Sequence, residues 1–339
     1  MQYTQLGRTG LKVSRLCLGC MNYGPHAPEA DAHQQMDKAH DLGINFFDTA
    51  DVYGWKKGEG VTEQIIGNWF ATGGGRRERT IIATKAFGDM NTEENDHVMK
   101  RGLSAVKIRR ACESSLRRLK TDYIDLYQMH HIARECPWEE VWQAMELLVQ
   151  QGKVVYVGSS NFAGWHIAAA SETAKHRNFM GLVSEQCKYS LLSRWSELEV
   201  LPAAQEYGLG VIPWSPLDGG VLGGMLQKKD KGRTAGKQAE ERLAKCRPQI
   251  EAFETLCDEW GEHPADVALA WTLHHPAVTA PIIGPRTIEQ LTASIRAVDI
   301  KLSDDQLKAL DCIFPGPKGT TPEGISDWEK QIAPEAYAW

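Results

Sequence analysis

The stretch Asn45-Phe46-Phe47-Asp48-Thr49-Ala50-Asp51-Val52-Tyr53-Gly54 begins as a short apolar run and continues into polar residues. Such a run is typical of a buried parallel strand, with Asp48 at its end and Tyr53 five residues later. Two further runs have the same form, since residues 81–84 precede Lys85 and residues 124–129 precede His130. Polar residues at the carboxyl ends of parallel barrel strands converge on one catalytic face. Together these four side chains suit proton transfer.

Strand and helix patterns alternate along the chain. Apolar runs predict eight strands, at residues 15–18, 45–48, 80–84, 124–128, 154–159, 182–185, 210–214 and 280–283. Apolar residues at three- and four-residue spacing predict helices at residues 30–41, 61–70, 108–119, 137–151, 163–176, 197–207, 264–274 and 288–297. The alternation predicts an α/β fold, a single (β/α)8 barrel over residues 1–339. The alternative, a doubly wound sheet, needs a Gly-x-Gly-x-x-Gly turn after its first strand, and the sequence has none there.

Four segments fall outside this alternation. Residues 1–14 predict an N-terminal hairpin around a glycine-containing turn. Residues 87–106 and 217–245 read as long insertions at the catalytic face, and the second is rich in Gly and Lys. Residues 315–339 contain four prolines and predict an irregular tail. Because the tail ends in Tyr337 and Trp339, we expect it to dock near the barrel mouth and shape the substrate pocket.

Composition limits the classes of protein to consider. The 339 residues carry a formal net charge of −6, with 24% charged and 42% hydrophobic residues, as in ordinary globular proteins. No basic run indicates nucleic-acid binding, and no apolar stretch is long enough to predict a membrane span. Residues 1–4 do not predict a signal peptide, and eight scattered cysteines are typical of free thiols. We therefore expect a cytoplasmic protein; its oligomeric state is not indicated.

Seven short segments, in order along the chain, resemble the aldo-keto reductase superfamily. Among them are Val157-Gly158-Ser159-Ser160-Asn161-Phe162, Pro213-Trp214-Ser215-Pro216-Leu217 and Ile283-Gly284-Pro285-Arg286-Thr287; the others are residues 43–54, 83–85, 126–130 and 185–186. Each lies at a predicted strand end, and the likeness runs from residue 6 to about residue 314. It extends to a bacterial branch with Trp after Tyr-Gly, whose members resemble reductases of keto-sugar nucleotides or bulky ketones.

The resemblance implies a catalytic tetrad of Asp48, Tyr53, Lys85 and His130. Reducing a carbonyl requires a hydride at carbon and a proton at oxygen, and a free Tyr titrates near ~10, too high to donate readily at neutral pH. We expect the Lys85 ammonium, held by Asp48, to lower the pKa of Tyr53. We expect His130 to hydrogen-bond the carbonyl oxygen as a neutral donor.

The resemblance also implies a nicotinamide cofactor, NADP, with NADPH preferred over NADH. Trp214 is expected to stack on the nicotinamide ring and Arg286 to bind the 2′-phosphate. The implied cofactor-binding residues are Gly19, Cys20, Met21, Asp48, Ser160, Asn161, Gln186, Trp214, Ser215, Pro216, Leu217, Gly219, Gly220, Ile283, Gly284, Arg286, Gln290 and Ser294. The implied substrate residues are Tyr23, Trp55 and His131.

This sequence departs from the family pattern at four of these positions. Cys20 replaces a common Thr, so its backbone is the part expected to matter. Gly284, Gln290 and Ser294 stand where Lys, Arg and Asn are frequent. We therefore expect fewer contacts at the adenine end than at the tetrad.

Two other functions compete with a carbonyl reductase. A cofactor-sensing regulatory subunit, like the channel-associated members of the superfamily, could retain the tetrad, and turnover would separate the two. A hydrolase barrel would need a second carboxylate placed like Asp48, and none is found. Cys17 and Cys20 fit a CxxC pattern, but no second pair lies at zinc-site spacing, so no metal is expected.

Overall fold

The computed structural model describes residues 1–92, 97–226 and 237–317. These residues contain ten strands: β1 (Tyr3–Gln5), β2 (Lys12–Ser14), β3 (Cys17–Gly19), β4 (Phe46–Asp48), β5 (Ile81–Ala86), β6 (Ile124–Met129), β7 (Val154–Ser160), β8 (Leu182–Gln186), β9 (Gly210–Val211) and β10 (Ile282–Ile283). They also contain ten α-helices: α1 (Glu29–Asp41), α2 (Val61–Ala71), α3 (Ala105–Leu119), α4 (Trp138–Gln150), α5 (Gly164–His176), α6 (Val200–Glu206), α7 (Lys237–Trp260), α8 (Pro264–His274), α9 (Ile288–Ser294) and α10 (Asp304–Ile313).

Eight parallel strands form one sheet in the order β10-β3-β4-β5-β6-β7-β8-β9. From β3 to β9 each strand pairs with its sequence neighbour, and the last strand, β10, pairs with the first, β3, which is the winding of a barrel and not of a doubly wound sheet. Backbone hydrogen bonds from Thr279 N–H to Val211 O (2.8 Å) and from Ile282 N–H to Pro213 O (2.8 Å) join the last segment to β9. The predicted (β/α)8 barrel is therefore confirmed.

The N-terminal hairpin closes one end of the barrel. β1 and β2 pair antiparallel, as predicted for residues 1–14. Leu6 and Val13 from this hairpin pack into a buried cluster with inward-facing side chains of the strands, including Phe46 and Leu126. Arg8 extends over the outside and donates to the carbonyl oxygens of Tyr207 and Met180, each at 2.5 Å. The hairpin covers the amino ends of the strands, which leaves the carboxyl ends for the site.

A second apolar cluster lies between the sheet and the surrounding helices. Helix α3 shows how the sequence builds this layer, because Ile108, Cys112 and Leu119 lie on its buried side. Its N-cap Ser104 accepts a hydrogen bond from the Lys107 N–H, which ends the preceding loop. Gly67 of α2 packs so closely that a Cβ would lie 2.0 Å from the Arg118 carbonyl oxygen. Only glycine allows this approach of α2 to the end of α3.

Several predicted boundaries were wrong. The predicted strand at 210–214 ends at Val211, because Pro213 has no N–H for a ladder. The insertion at 217–245 ends inside α7, which begins at Lys237. In α7, Pro248 and the non-helical Cys246 interrupt the helical pattern, and the prediction missed it. Helix α10 was also missed.

Parts of the remaining predicted segments lie outside the residues that the structure describes. The loop after β5 runs to α3 at Ala105, and its residues 93–96 lie outside the described residues, as do residues 227–236. The tail prediction for Tyr337 and Trp339 also falls outside them. Among the helices that are described, none combines the length and apolar character needed to cross a membrane.

Candidate active site

Asp48 and Lys85 form a buried ion pair at the carboxyl end of the barrel. Asp48 is the last residue of β4, and Lys85 lies near the end of the adjacent β5. The Lys85 Nζ lies 2.7 Å from Asp48 Oδ2 and 2.8 Å from the carbonyl oxygen of Thr49. Burial alone would lower the pKa of Lys85, but the charge of Asp48 and the hydrogen bonds to Asp48 and Tyr53 raise it above the ordinary value. Lys85 is therefore a fixed cation in the barrel interior.

The second oxygen of Asp48 is held by two amides. Gln128 Nε2 donates to Asp48 Oδ1 at 3.1 Å, and Gln186 Nε2 donates to the same atom at 2.8 Å. Gln128 was not predicted as a site residue. It lies in β6 opposite Lys85 in the strand register, so its side chain could have been placed inside the barrel by the alternation of the strand. The expected cofactor residue Gln186 is thus already engaged in orienting Asp48.

Tyr53 reaches the ion pair from the loop after β4. Its Oη lies 3.3 Å from Lys85 Nζ, and its ring centroid lies 4.9 Å from the same nitrogen. Burial raises the pKa of Tyr53, whereas the Lys85 charge and hydrogen bond lower it; the net direction is upward. The phenol is therefore protonated at neutral pH in this structure, and Lys85 favours the phenolate that proton donation would leave.

His130 lies beside Tyr53 at the end of β6. The two rings meet edge to face, with centroids 5.8 Å apart and an interplanar angle of 82°. His130 also stacks on His131, with ring centroids 5.1 Å apart and an interplanar angle of 10°. Burial lowers the pKa of His130 well below its usual value, and the charge of Lys85 lowers it further. The imidazole is neutral at physiological pH, as a donor to a carbonyl oxygen requires.

A turn after β7 links His130 to Trp214. Asn161 adopts a left-handed backbone conformation, with φ of 59°. Its Nδ2 donates to the carbonyl oxygen of His130 at 3.1 Å and to Ser160 Oγ at 3.0 Å, and its Oδ1 accepts from Trp214 Nε1 at 3.0 Å. Ser160 Oγ in turn donates to the Gln186 carbonyl oxygen at 2.9 Å. The predicted carboxamide-binding residues are therefore one connected group beside the tetrad.

The segment after β9 presents backbone donors next to Trp214. Ser215 has φ of 53°, and Leu217 leads into a short 3-10 turn at Asp218–Gly220. Across the described parts of the chain, the N–H groups of Ser215 and Leu217 donate no hydrogen bond. Pro216 is buried, whereas Gly219 and Gly220 are partly exposed. Unused N–H groups beside an aromatic ring suit the pyrophosphate of a dinucleotide.

An ion pair that was not predicted supports this segment. Lys188 Nζ lies 2.7 Å from Asp218 Oδ1. Lys188 follows β8, so the pair ties two neighbouring loops of the carboxyl face together. Asp218 lies directly between the predicted residues Leu217 and Gly219. The sequence alone did not indicate that it would pair with Lys188.

The end of β3 lies between β10 and β4 at the carboxyl face of the barrel. A Cβ on Gly19 would meet Ile282 Cγ2 at 2.5 Å, so glycine is required for the close pairing of β3 with β10. Cys20 is buried, and its N–H donates to the Asp48 carbonyl oxygen at 2.9 Å. Met21 is partly buried. The thiol of Cys20 is thus buried, and its backbone is engaged within the protein, because its carbonyl oxygen also accepts the Tyr23 N–H at 2.9 Å.

Arg286 lies between β10 and α9 with its backbone held at both ends. Gln35 Nε2 donates to its carbonyl oxygen at 3.0 Å, and its N–H donates to Gln290 Oε1 at 2.8 Å. Within the described residues its guanidinium has neither an ion pair nor a hydrogen bond. Ser294 Oγ donates to the Gln290 carbonyl oxygen, Ile283 is buried, and Gly284 is exposed. Among Ile283, Gly284, Arg286, Gln290 and Ser294, only Arg286 has a cationic side chain, so it is the residue best suited to bind a phosphate monoester.

The three predicted substrate residues differ in accessibility. Trp55 is 61% exposed and has φ of 60°, which is uncommon for a bulky side chain. His131 is exposed and contacts Phe87 with centroids 5.3 Å apart. Tyr23 is 0% exposed, and its Oη has no partner among the described residues. In this structure Trp55 and His131 are accessible to a substrate, and Tyr23 is part of the core.

The chain is similar in sequence to known proteins over nearly its whole length. The sequence model of the Aldo/keto reductase family matches residues 15–314. The chain is 56% identical over 342 residues to "Uncharacterized oxidoreductase YrpG" of Bacillus subtilis (strain 168), covering 100% of both chains. It is 31% identical to "Versiconal hemiacetal acetate reductase" of Aspergillus parasiticus, covering 92% of this chain and 96% of that protein. It is also 32% identical to "Putative voltage-gated potassium channel subunit beta" of Schizosaccharomyces pombe (strain 972 / ATCC 24843), covering 91% of this chain and 92% of that protein.

The family match spans β3 to the end of α10 and contains every residue of the polar cluster described above. The relatives align over nearly their whole lengths, so the likeness is not confined to the barrel framework. The chain belongs to the aldo/keto reductase family.

Proposed function

We propose that this protein reduces the carbonyl group of an aldehyde or ketone to an alcohol, with NADPH preferred over NADH and with Tyr53 as the proton donor. Family membership makes the chain an NAD(P)H-dependent oxidoreductase of a family that acts on small carbonyl compounds. The proposal adds the cofactor preference, the residue roles and the substrate class.

The contact that carries the proposal is that of Lys85 with both Asp48 and Tyr53. A buried ammonium 3.3 Å from the phenol oxygen stabilises the phenolate that remains after Tyr53 gives its proton. Asp48 holds the ammonium in place at 2.7 Å, and two amides fix the other oxygen of Asp48. A neutral His130 beside the phenol supplies a hydrogen bond to the same carbonyl oxygen.

The residues divide the reaction between them. When bound, the reduced nicotinamide supplies a hydride to the carbonyl carbon. Tyr53 gives its proton to the carbonyl oxygen, and His130 orients that oxygen. Trp214, Ser160 and Asn161 would hold the nicotinamide end, and the free N–H groups of Ser215 and Leu217 would bind the pyrophosphate. The phenolate of Tyr53 then regains a proton from solvent.

The preference for NADPH rests on Arg286. Its guanidinium is free of partners among the described residues, and its backbone is fixed by Gln35 and Gln290. A planar guanidinium suits a phosphate with two parallel hydrogen bonds.

The substrate proposed is a keto-sugar nucleotide or another bulky ketone. Trp55 presents a large exposed aromatic surface two residues after Tyr53, and His131 lies on the same side of the tetrad. Such surfaces favour a substrate with a ring or an extended apolar part. We place the reaction in the cytoplasm.

A second candidate is a cofactor-sensing regulatory subunit. The observation that favours it is the likeness to proteins named as potassium channel beta subunits, at 32% identity. The tetrad geometry would be the same in either case. The two differ in turnover, because a sensor binds NADPH without consuming it when a carbonyl is added.

A substrate screen that follows NADPH absorbance tests the proposal. The panel contains a generic aldehyde, a quinone, bulky ketones and dTDP-keto-sugars, each assayed with wild type and Tyr53→Phe. Carbonyl-dependent NADPH oxidation by wild type alone supports the reductase. Tight NADPH binding with no turnover on any compound contradicts it and favours the sensor.

A further inference from the structure

Glu185 is a buried carboxyl group that the reaction does not use. It lies in β8 directly before Gln186 and is fully buried. Its Oε1 accepts the Phe162 N–H at 3.0 Å, and its Oε2 lies 2.5 Å from Ser159 Oγ. Both partners flank the Ser160–Asn161 pair. One side chain from β8 therefore holds the two sides of the turn that follows β7.

The anchored turn has an uncommon backbone conformation. Asn161 has φ of 59°, a region that residues with a side chain rarely occupy, although Asn adopts it more readily than most. The Phe162 N–H directly follows this left-handed residue and would be buried without a partner if Glu185 were removed. A buried unpaired N–H destabilises the conformation that buries it. The contact with Glu185 therefore favours the left-handed turn over an ordinary one.

The turn carries contacts to both halves of the site. Asn161 donates to the His130 carbonyl oxygen and accepts from the Trp214 indole. A shift of the turn would thus move the ring proposed to stack on nicotinamide and the backbone of the proposed carbonyl donor together. No other described side chain contacts the backbone of Phe162 in this way.

The protonated form of Glu185 satisfies both of its partners, the Phe162 N–H and the Ser159 hydroxyl. Burial raises the pKa of Glu185 from 4.5 to about 8, despite its hydrogen bonds to Ser159 and Phe162. As a neutral acid it donates through Oε2 to Ser159 Oγ. The Ser159 hydroxyl then donates to the Ser184 carbonyl oxygen, 3.3 Å away. Glutamine has the same acceptor and donor arrangement, so it is a close mimic of the neutral acid.

We propose that Glu185 is a positioning residue for the nicotinamide end of the site: its carboxyl group holds the left-handed turn at Asn161 and thereby sets the orientation of Trp214 relative to His130. The inference rests on the proposed function for its effect on cofactor binding. Its structural part concerns only the chain itself.

An NMR spectrum of the cofactor-free protein tests the effect of Glu185 on Trp214 separately from cofactor binding. In 15N-labelled protein the Trp214 indole N–H resonance is assigned by its loss in Trp214→Phe. We expect Glu185→Ala to shift this resonance and Glu185→Gln to leave it near the wild-type position. Asp125→Asn is the matched control, since Asp125 also accepts a backbone N–H, from Ile82 at 3.0 Å, but at the start of β6. A Trp214 resonance unmoved in Glu185→Ala overturns the proposal.

Cofactor affinity tests the consequence. Losing one buried hydrogen bond of this kind corresponds to roughly 3–10-fold weaker NADPH binding in Glu185→Ala, with recovery in Glu185→Gln. If Glu185→Ala does not fold, Glu185→Asp replaces it, since the shorter side chain retracts the carboxyl group from Phe162. Glu185→Asp with wild-type affinity and an unmoved resonance also overturns the proposal. Failure of wild type to bind NADPH would contradict the proposed function instead, and the resonance test would still stand.

Discussion

Lys85 Nζ lies 3.3 Å from Tyr53 Oη, and this contact opposes the effect of burial on the phenol. From the sequence we expected Lys85 to bring the pKa of Tyr53 down toward neutrality. In the structure burial is the larger effect, and the pKa of Tyr53 is raised. The phenol is therefore kept protonated in readiness for reduction, and Lys85 acts mainly on the phenolate left after proton transfer.

Tyr53→Phe should abolish carbonyl reduction. The change removes the only proposed proton donor and leaves the ring contact with His130 in place. A positioned acid supplies about 10²–10⁴-fold in rate, so kcat should fall by that factor while the Kd for NADPH changes little. The measurement is steady-state NADPH oxidation with a fluorescence titration of NADPH as control. A variant that keeps more than about a tenth of wild-type kcat would remove Tyr53 from this role.

The pH profile of kcat should have an alkaline limb and lack an acid limb from His130. Reduction needs the protonated phenol, and because burial raises the pKa of Tyr53, activity should fall only in the alkaline range. His130 has a pKa lowered by burial and by Lys85, so it stays neutral as the pH falls through 6.5, the usual value for histidine. The measurement is kcat from pH 5 to pH 10, compared with His130→Gln. An inflection near pH 6.5 that vanishes in His130→Gln would contradict a neutral His130.

The positions of Asp48, Lys85 and His130 could be predicted because each follows an apolar run, and parallel strands end on one face. Gln128 and Glu185 could not be found in the same way. Each lies inside a strand that carries other polar residues, and its partners come from other strands, so the local sequence does not identify those partners.

Helices α7 and α10 were not predicted from the apolar spacing of the sequence, for different reasons. Helix α10 has a capping box at Ser303 and Gln306, a local signal that the apolar spacing alone did not use. Helix α7 contains Pro248, and a proline within a helical pattern normally marks an end.

NADPH should quench part of the tryptophan fluorescence through Trp214. The indole is held by Asn161 Oδ1 at 3.0 Å and is partly exposed. Stacking would bring the Trp214 indole into direct contact with the nicotinamide ring, which would quench its fluorescence. Because the chain has 11 tryptophans, the test compares wild type with Trp214→Phe and with Trp165→Phe, an exposed residue of α5. We expect the binding-dependent quench to shrink only in Trp214→Phe; an equal loss in both variants would point to a different ring.

Asp51→Asn should stabilise the protein increasingly as pH rises from about 4 to 7. Asp51 is fully buried, and neither carboxylate oxygen has a hydrogen-bond partner of ordinary geometry within the described residues. Burial and the Glu63 charge raise its pKa from 3.8 to about 7. Because the pKa of Asp51 is higher in the folded than in the unfolded protein, the protonated carboxyl group contributes its full stability below the pKa of the unfolded chain. That contribution is lost as the pH rises to the pKa of the folded protein.

The variant lacks this loss, so its advantage in the free energy of unfolding should grow across that window to about 4 kcal/mol and then level off. Urea unfolding at pH 4.5, 6 and 8 provides the measurement, with the exposed Asp122→Asn as control. A constant difference at all three values would show that Asp51 remains charged in the folded protein.

Arg286→Ala should weaken NADPH binding and leave NADH binding nearly unchanged. The guanidinium is the one cation in residues 283–290, and its backbone is fixed by Gln35 and Gln290. A charge-assisted hydrogen bond is worth about 1.5–3 kcal/mol, which is roughly 10–150-fold in Kd. Gly284 supplies no charge, and the Gln290 oxygen is engaged with the Arg286 N–H, so we expect the lower part of that range. Arg296→Ala is the control, because Arg296 pairs with Glu262 and stands outside this segment. If wild type binds the two cofactors equally, or if Arg286→Ala loses both alike, Arg286 does not recognise the 2′-phosphate.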